Sequence, residues 1–239
     1  MEREARLQQL RIGAVAFAFG RVRLPNMIET SLPELGTKDR PRSMRDPIVQ
    51  QQRQAMLALP HIAPLTAYAA ELGQRANVQV PNFDPLDGGV NAQALFLFEK
   101  PGPMTAVSGR RAGSGFISRN NDDPTAEAIF RFMEQAHIPR KRTVIWNIIP
   151  WWNGTRKVTA EELQEGAASV DNLVKLLPAL AVVVMVGRKA ANARRSLKNT
   201  GLELIDSHHP SPLVRARFPS KWEAIPSQWA QVLTRIQEV

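Results

Sequence analysis

The sequence contains no cysteine, and this absence excludes disulfide bonds, thiolate zinc sites and iron–sulfur clusters. Long apolar runs are also missing. The longest, residues 179–186, is far shorter than the roughly 20 residues that a helix needs to span a bilayer. Hydrophobic residues make up 44% of the 239-residue chain and charged residues 22%, a globular composition that excludes the fibrous and disordered classes.

Basic residues exceed acidic ones and give a formal net charge of +9, most of it after residue 90. This excess predicts an anionic partner, and nucleic acid is the first candidate. The glycines at 109–115 lack the Gly-Lys-Ser/Thr ending of a phosphate-binding loop, which disfavours nucleotide hydrolysis. The four histidines have no metal-ligand spacing, so we expect no metal and no other cofactor.

The N-terminal residues weakly resemble an export signal, because three arginines precede an apolar run at residues 12–19. Glu2 and Glu4 dilute that charge. We therefore favour a surface helix, or a translation start at Met27, over export.

Residues 1–90 are predicted to form a helical extension that ends in an entry loop. Asp46 is placed to cap a helix that Pro47 opens and Pro60 closes. A second helix is predicted over residues 64–72, ending at Gly73. Residues 81–89 are rich in proline, aspartate and glycine and predict the loop that leads into the core.

From residue 91 onward, short apolar runs alternate with amphipathic segments, a pattern typical of βαβ units. The predicted strands cover residues 94–98, 143–149, 180–186 and 202–205. One predicted helix begins at Pro124 after the cap Asp123, and another runs from Thr159, which pairs with Glu162 in a capping box, to Leu177. Two more predicted helices cover residues 188–198 and 227–237. We therefore predict an α/β protein with a mostly parallel central sheet flanked by helices in three α/β/α layers. The core is predicted at residues 91–239, with the N-terminal helical extension packed on it, as a single domain overall.

Ligands of open α/β sheets bind outside the carboxyl ends of the strands. Glu99 follows the first predicted strand, Asn147 lies in the second, Arg188 follows the third, and His209 follows the fourth. We expect these side chains to share one edge of the sheet. An imidazole fixed by neighbouring prolines, here Pro210 and Pro212, supplies a proton or a hydrogen bond, although an ordinary loop histidine is an equal alternative.

The other two candidates also have structural alternatives. A carboxylate such as Glu99 stabilises a cation or positions a water, and it equally serves as a helix-capping partner. The amide of Asn147, placed in an apolar strand, needs hydrogen bonds, which a ligand or neighbouring backbone can provide.

Three motifs at these strand ends resemble the uracil-DNA glycosylase superfamily over about residues 78–239. The segment 98–102, Phe-Glu-Lys-Pro-Gly, resembles its first motif, usually Gly-Glu-Ala-Pro-Gly or Gly-Gln-Asp-Pro-Tyr. Asn147 within 146–150 resembles the family's base-reading strand. The segment 209–213, His-Pro-Ser-Pro-Leu, resembles its second motif and is the most specific of the three.

The resemblance implies a role for each matching residue. His209 would hydrogen-bond the uracil O2, Asn147 would read the base edge, and Glu99 would stabilise the sugar cation or orient water. Phe116 would stack on the flipped base. Substrate contacts would also come from Lys100, Pro101 and Gly102. Leu213 would be the wedge that enters the emptied stack. The residues that would contact DNA are Pro210, Ser211, Pro212, Leu213, Arg215, Arg188 and Lys189.

The implied protein is a monomeric, monofunctional enzyme that releases uracil from single- or double-stranded DNA. Without cysteines it resembles the cluster-free, bacterial-type branch, which implies a cytoplasmic, nucleoid-associated protein. Phe98 and Lys100 depart from the first motif and leave base range and turnover open. Two alternatives therefore remain: a damaged-DNA binding module with little turnover, and a small-molecule nucleoside hydrolase.

Overall fold

The computed structural model describes residues 39–76, 78–106 and 112–236. The predictions for residues 12–19 and Met27 lie outside these ranges. The strands are β1 (Asn82–Phe83), β2 (Ala94–Phe98), β3 (Phe116–Ile117), β4 (Thr143–Asn147), β5 (Val182–Val186) and β6 (Glu203–Ser207). The helices are α1 (Pro47–Ala55), α2 (Ala63–Ala76), α3 (Pro124–Gln135), α4 (Ala160–Lys175), α5 (Arg194–Leu197), α6 (Pro212–Arg217), α7 (Pro219–Glu223) and α8 (Ile225–Ala230).

The central sheet contains four parallel strands in the order β4-β2-β5-β6. Every residue of β2, β4 and β5 is buried, as expected for parallel strands covered by helices on both faces. β1 and β3 form a separate two-stranded parallel sheet. The predicted α/β/α fold with a parallel sheet is confirmed.

Two helical layers cover the sheet. On one face, Trp229 of α8 packs edge-on against Phe96 of β2 and Phe132 of α3. The second layer contains α2 and α4, which are joined where the Tyr68 hydroxyl donates to the Ser169 carbonyl at 2.5 Å. Among the described residues, no helix combines the length and apolar character needed to cross a membrane.

Helix beginnings match the predicted caps because these signals act over a few residues. Asp46 caps α1, Asp123 caps α3, and Thr159 and Glu162 form a reciprocal capping box at α4. The ends are less well predicted. Gly73 does not end α2, which continues to Ala76. A Cβ at residue 73 would lie 3.1 Å from the Val78 carbonyl oxygen, so this glycine allows the returning chain to approach closely.

Other element ends also differ from the predictions. β4 ends at Asn147, although the next two backbone N–H groups still donate to Phe98 and Glu99 carbonyls of the β2 side. The helix predicted at 188–198 is a 3₁₀ turn at Ala190–Ala193 followed by the single turn of α5. The helix predicted at 227–237 is α8 followed by a 3₁₀ turn at Gln231–Thr234.

A buried ionic cluster attaches the segment around α1 to the core. Arg53 of α1 lies 3.1 Å from Asp84, and neither side chain is exposed. Arg140 contacts Asp39, Asp84 and Asp87 at 2.5, 2.6 and 2.8 Å. Burial is the largest influence and raises the pKa of Asp87 to about 6. These contacts join residues before 90 to the core, while the domain boundary at residue 90 stays a prediction.

Candidate active site

The carboxyl ends of the four parallel strands form one edge, and the predicted residues lie along it. Asn147 is the last residue of β4 and is in register with Phe98, the last residue of β2. Glu99 follows directly. Gly187 follows β5, and His209 lies two residues beyond the end of β6. The order along the edge is therefore amide, carboxylate, glycine and imidazole.

The His209 imidazole lies across the end of β5 and reaches the β2 side of the edge. Its ring is perpendicular to the Phe98 ring, with the centroids 5.8 Å apart. Gly187 makes this crossing possible because a Cβ there would lie 3.2 Å from the His209 Cβ. Gly187 also has a φ of +90°, which side chains disfavour. His209 is thereby placed next to the residue that precedes Glu99.

The environment of His209 favours an uncharged imidazole. The ring is partly exposed but lies among apolar groups, and this desolvation lowers the pKa of His209 to about 4. No side chain or carbonyl among the described residues hydrogen-bonds the ring. At neutral pH the group is therefore a neutral imidazole with one N–H to donate.

Asn147 is only 6% exposed and ends a strand whose other residues are Thr143 and three apolar residues. None of the hydrogen bonds among the described residues involves its amide. The structural alternative, a bond from this amide to neighbouring backbone, is thus not present in this part of the chain. Its amide is therefore open to a ligand with matching donor and acceptor groups.

Glu99 lies between Asn147 and the His209 crossing. Its backbone carbonyl accepts from the Ile149 N–H at 3.0 Å, which ties the start of the first-motif loop to the chain beyond β4. The carboxylate is partly exposed and has no ion-pair partner within the described ranges. It is therefore available at the edge as a negative charge for a reacting group.

Lys100 does not join this edge. Its ammonium contacts Glu162 of α4 at 2.6 Å and donates to the Lys157 carbonyl at 3.1 Å. The Lys100 side chain is only 3% exposed. The expected contact of Lys100 with substrate is therefore not supported by its position, which is that of a loop anchor.

The rest of the first motif leads the chain towards Phe116. Pro101 is buried and Gly102 is partly exposed. Beyond them the Met104 carbonyl accepts from the Ser114 N–H at 2.9 Å, so the loop after β2 is bonded to the segment that enters β3. Phe116 is thereby connected through the backbone to the first motif.

The Phe116 ring itself is 1% exposed and packs in a small apolar cluster with Met44 and Val49. Its backbone is held firmly. The Ser114 Oγ accepts from the Phe116 N–H at 3.1 Å, and the Asn121 amide donates to the Phe116 carbonyl at 2.8 Å. The aromatic contacts of the described residues do not pair the Phe116 ring with the His209 ring. Stacking of Phe116 on a base stays a prediction.

The second motif forms the turn from His209 into α6. Pro210 is buried, and the Ser211 Oγ caps α6 by accepting from the Val214 N–H at 3.3 Å. Pro212 occupies the first helical position. Leu213 on the next position is 59% exposed, so its side chain is open to contact with a partner.

The basic residues predicted to bind DNA follow β5 or lie in α6, which comes after β6. Arg188 is exposed and Lys189 partly buried, directly after Gly187. They precede a 3₁₀ turn instead of the predicted regular helix, so the expected helix N-terminus is absent there. Arg215 is exposed, and its guanidinium lies 5.6 Å from the Trp222 ring centroid.

Sequence reasoning missed two residues that shape this edge. Gly187 carried a signal, since a glycine directly after a buried strand often marks a close backbone approach. Glu162 was recognised only as a capping residue, because its partner Lys100 lies 62 positions away. Among the described residues, no cluster of three potential metal ligands occurs.

A parallel α/β/α sheet with an amide, a carboxylate and a neutral imidazole along its carboxyl edge has polar groups where open α/β sheets bind their ligands. The family model described as the Uracil DNA glycosylase superfamily matches residues 87–231, more than half of the chain. The chain belongs to this superfamily, so a glycosylase-type role in DNA repair follows. A search of curated proteins finds no match.

Proposed function

We propose that this protein is a monofunctional uracil-DNA glycosylase, which hydrolyses the N-glycosidic bond of uracil and leaves an abasic site. The observation that carries the proposal is the meeting of a neutral His209 with Asn147 and Glu99 at one sheet edge. Superfamily membership supports the reaction class. The choice of uracil rests on the site residues.

His209 and Glu99 would act on opposite charges. When the bond between C1′ and N1 breaks, its electron pair stays with the base and the sugar becomes cation-like. The neutral imidazole donates its N–H to the uracil O2, where negative charge collects, and the Glu99 carboxylate stabilises the sugar and orients the attacking water. Such interactions are strong in a site that excludes bulk water.

Asn147 would select uracil over cytosine. Its amide N–H matches the O4 acceptor of uracil, and its carbonyl matches the N3–H donor. Cytosine presents a donor at the first position and an acceptor at the second, so both contacts fail. A site whose buried polar groups are left unpaired rejects the wrong ligand strongly.

The surroundings of the site would hold extruded DNA. A base inside a duplex is inaccessible, and flipping it costs a few kcal/mol. The exposed Leu213 would fill the emptied stack, while Arg188, Lys189 and Arg215 would supply positive charge for phosphates. We propose that the monomer acts on chromosomal DNA in the cytoplasm of a bacterial-type cell.

The test uses oligonucleotides that carry uracil, hypoxanthine, xanthine or mismatched thymine, followed by alkali cleavage at abasic sites. We expect strand breaks at uracil with the wild type and loss by orders of magnitude with His209→Ala. His208→Ala is the matched control, since it removes the neighbouring imidazole and should stay active. Tight binding without base release would instead indicate a binding module, and activity on free nucleosides a nucleoside hydrolase.

A further inference from the structure

Glu162 holds together two loops that flank the proposed site. Its Oε1 accepts from Lys100 Nζ at 2.6 Å, Asn153 Nδ2 at 3.0 Å and Trp151 Nε1 at 3.3 Å. Its Oε2 accepts from the Thr159 backbone N–H at 3.0 Å. One carboxylate therefore binds the loop after β2, the loop after β4 and the first turn of α4.

The ion pair between Lys100 and Glu162 is largely shielded from solvent, whereas the bond from Asn153 is exposed. The Lys100 side chain is 3% exposed and that of Glu162 is 12% exposed. Burial by itself raises the pKa of Glu162, but the hydrogen bonds from Lys100 and Thr159 outweigh it and keep the pKa below its ordinary value. The residue is thus an anion at neutral pH, and its charge-assisted hydrogen bonds are of the strong kind.

The loops held by Glu162 carry the reacting groups. Lys100 is joined to Glu99 by one peptide bond, and Trp151 follows Asn147 by four residues. A catalytic group that is misplaced by about 1 Å can lose about 100-fold in rate. The anchor is therefore located where small movements would change the chemistry.

We propose that Glu162 is a positioning residue, whose carboxylate sets the placement of Glu99 and Asn147 by fixing the two loops that follow them. The catalytic part of this inference rests on the proposed function. The residue itself does not touch substrate. Its conservative replacement, Glu162→Gln, keeps an acceptor for the Thr159 N–H but loses the charge that holds Lys100.

Glu161→Gln is the matched control. Glu161 lies in the same first turn of α4, so its removal costs the same favourable charge at the helix N-terminus. Glu161 is exposed, and its carboxylate interacts with Thr159 at the start of the helix, whereas Lys100, Trp151 and Asn153 bond to Glu162. Any effect that is common to both variants comes from the helix, and any effect confined to Glu162→Gln comes from the loops.

The experiment measures hydrogen exchange in the free protein, together with single-turnover release of uracil, DNA affinity and melting temperature. For Glu162→Gln we expect faster exchange at residues 99–104 and 151–158 and base release slowed about 10- to 100-fold. DNA affinity should change less than about threefold, because the residues proposed to contact phosphates lie elsewhere. Glu161→Gln should match the wild type in all four measurements.

The inference is overturned if Glu162→Gln keeps wild-type exchange in both loops or a wild-type rate. It is also overturned if the slower rate recovers on cooling in step with the melting temperature, since that would mark a purely structural role. If the wild type releases no base from any oligonucleotide, the proposed function fails, while the exchange result still decides whether Glu162 holds the two loops.

Discussion

The uncharged state of His209 leads to a prediction that needs no substrate. The pKa of this imidazole is lowered by desolvation from 6.5 to about 4. At about 1.4 kcal/mol for each pKa unit, the folded protein favours the neutral ring by about 3 kcal/mol relative to an exposed histidine. His209 should therefore remain neutral down to about pH 5, and protonation of this residue should not limit activity above that pH.

The same shift links His209 to stability, and its sign follows from proton binding. Between pH 6.5 and 4 the unfolded chain binds a proton at residue 209 that the folded protein does not. The contribution of the neutral His209 to the free energy of unfolding is therefore complete above pH 6.5 and is lost as the pH falls to 4. Comparing wild type with His209→Gln in urea, we expect the wild type to lose about 2–3 kcal/mol more between pH 7 and 4.5.

Imidazole resonances in nuclear magnetic resonance spectra, followed as a function of pH, provide the direct assay. His209→Gln assigns the signal of interest, and His208→Gln separates it from that of its neighbour. The expected titration midpoint is near 4, or unfolding intervenes first with the ring still neutral. A midpoint between 6 and 7 in the folded protein would refute the desolvated site, and with it the neutral hydrogen-bond donor.

Three further predictions concern selectivity, base extrusion and stability. Asn147→Asp should abolish or relax discrimination between uracil and cytosine, measured as the ratio of release rates, and an unchanged ratio would reject base reading. Leu213→Ala should slow release from duplex about tenfold with little effect on single strands, whereas equal losses would reject the wedge. Arg140→Met leaves Asp84 and Asp87 buried without the cation that they share. Urea unfolding should therefore show a free energy of unfolding lower by about 3–5 kcal/mol. A decrease below about 1 kcal/mol would contradict the role of Arg140.

The edge that carries the site was predictable because parallel strands place their carboxyl ends together. Once residues 94–98, 143–149 and 202–205 were interpreted as strands of one parallel sheet, the residues that follow them had to meet. The predicted arrangement of Glu99, Asn147 and His209 depended on this geometry and on motif order. The strand ends shifted by up to two residues without separating these groups.

The surroundings of Lys100 and Phe116 were harder to predict, because each side chain contacts a residue that is distant in the sequence. Lys100 belongs to the first motif by sequence, yet its charge is neutralised by Glu162 on α4. Phe116 has the position expected of a stacking ring, yet its ring packs against Met44 and Val49 from the segment before β1. Neither contact has a local sequence signal.

The sequence by itself determined the fold class, the helix caps and the order of chemical groups at the strand ends, since periodicity, capping and turn chemistry act over a few residues. Only the tertiary structure decided which of those groups remain free. It neutralised Lys100 with Glu162, enclosed Arg140 among three aspartates, and desolvated His209 beside Phe98. Charge state and side-chain availability depend on burial and on partners brought together from distant segments, which no local pattern encodes.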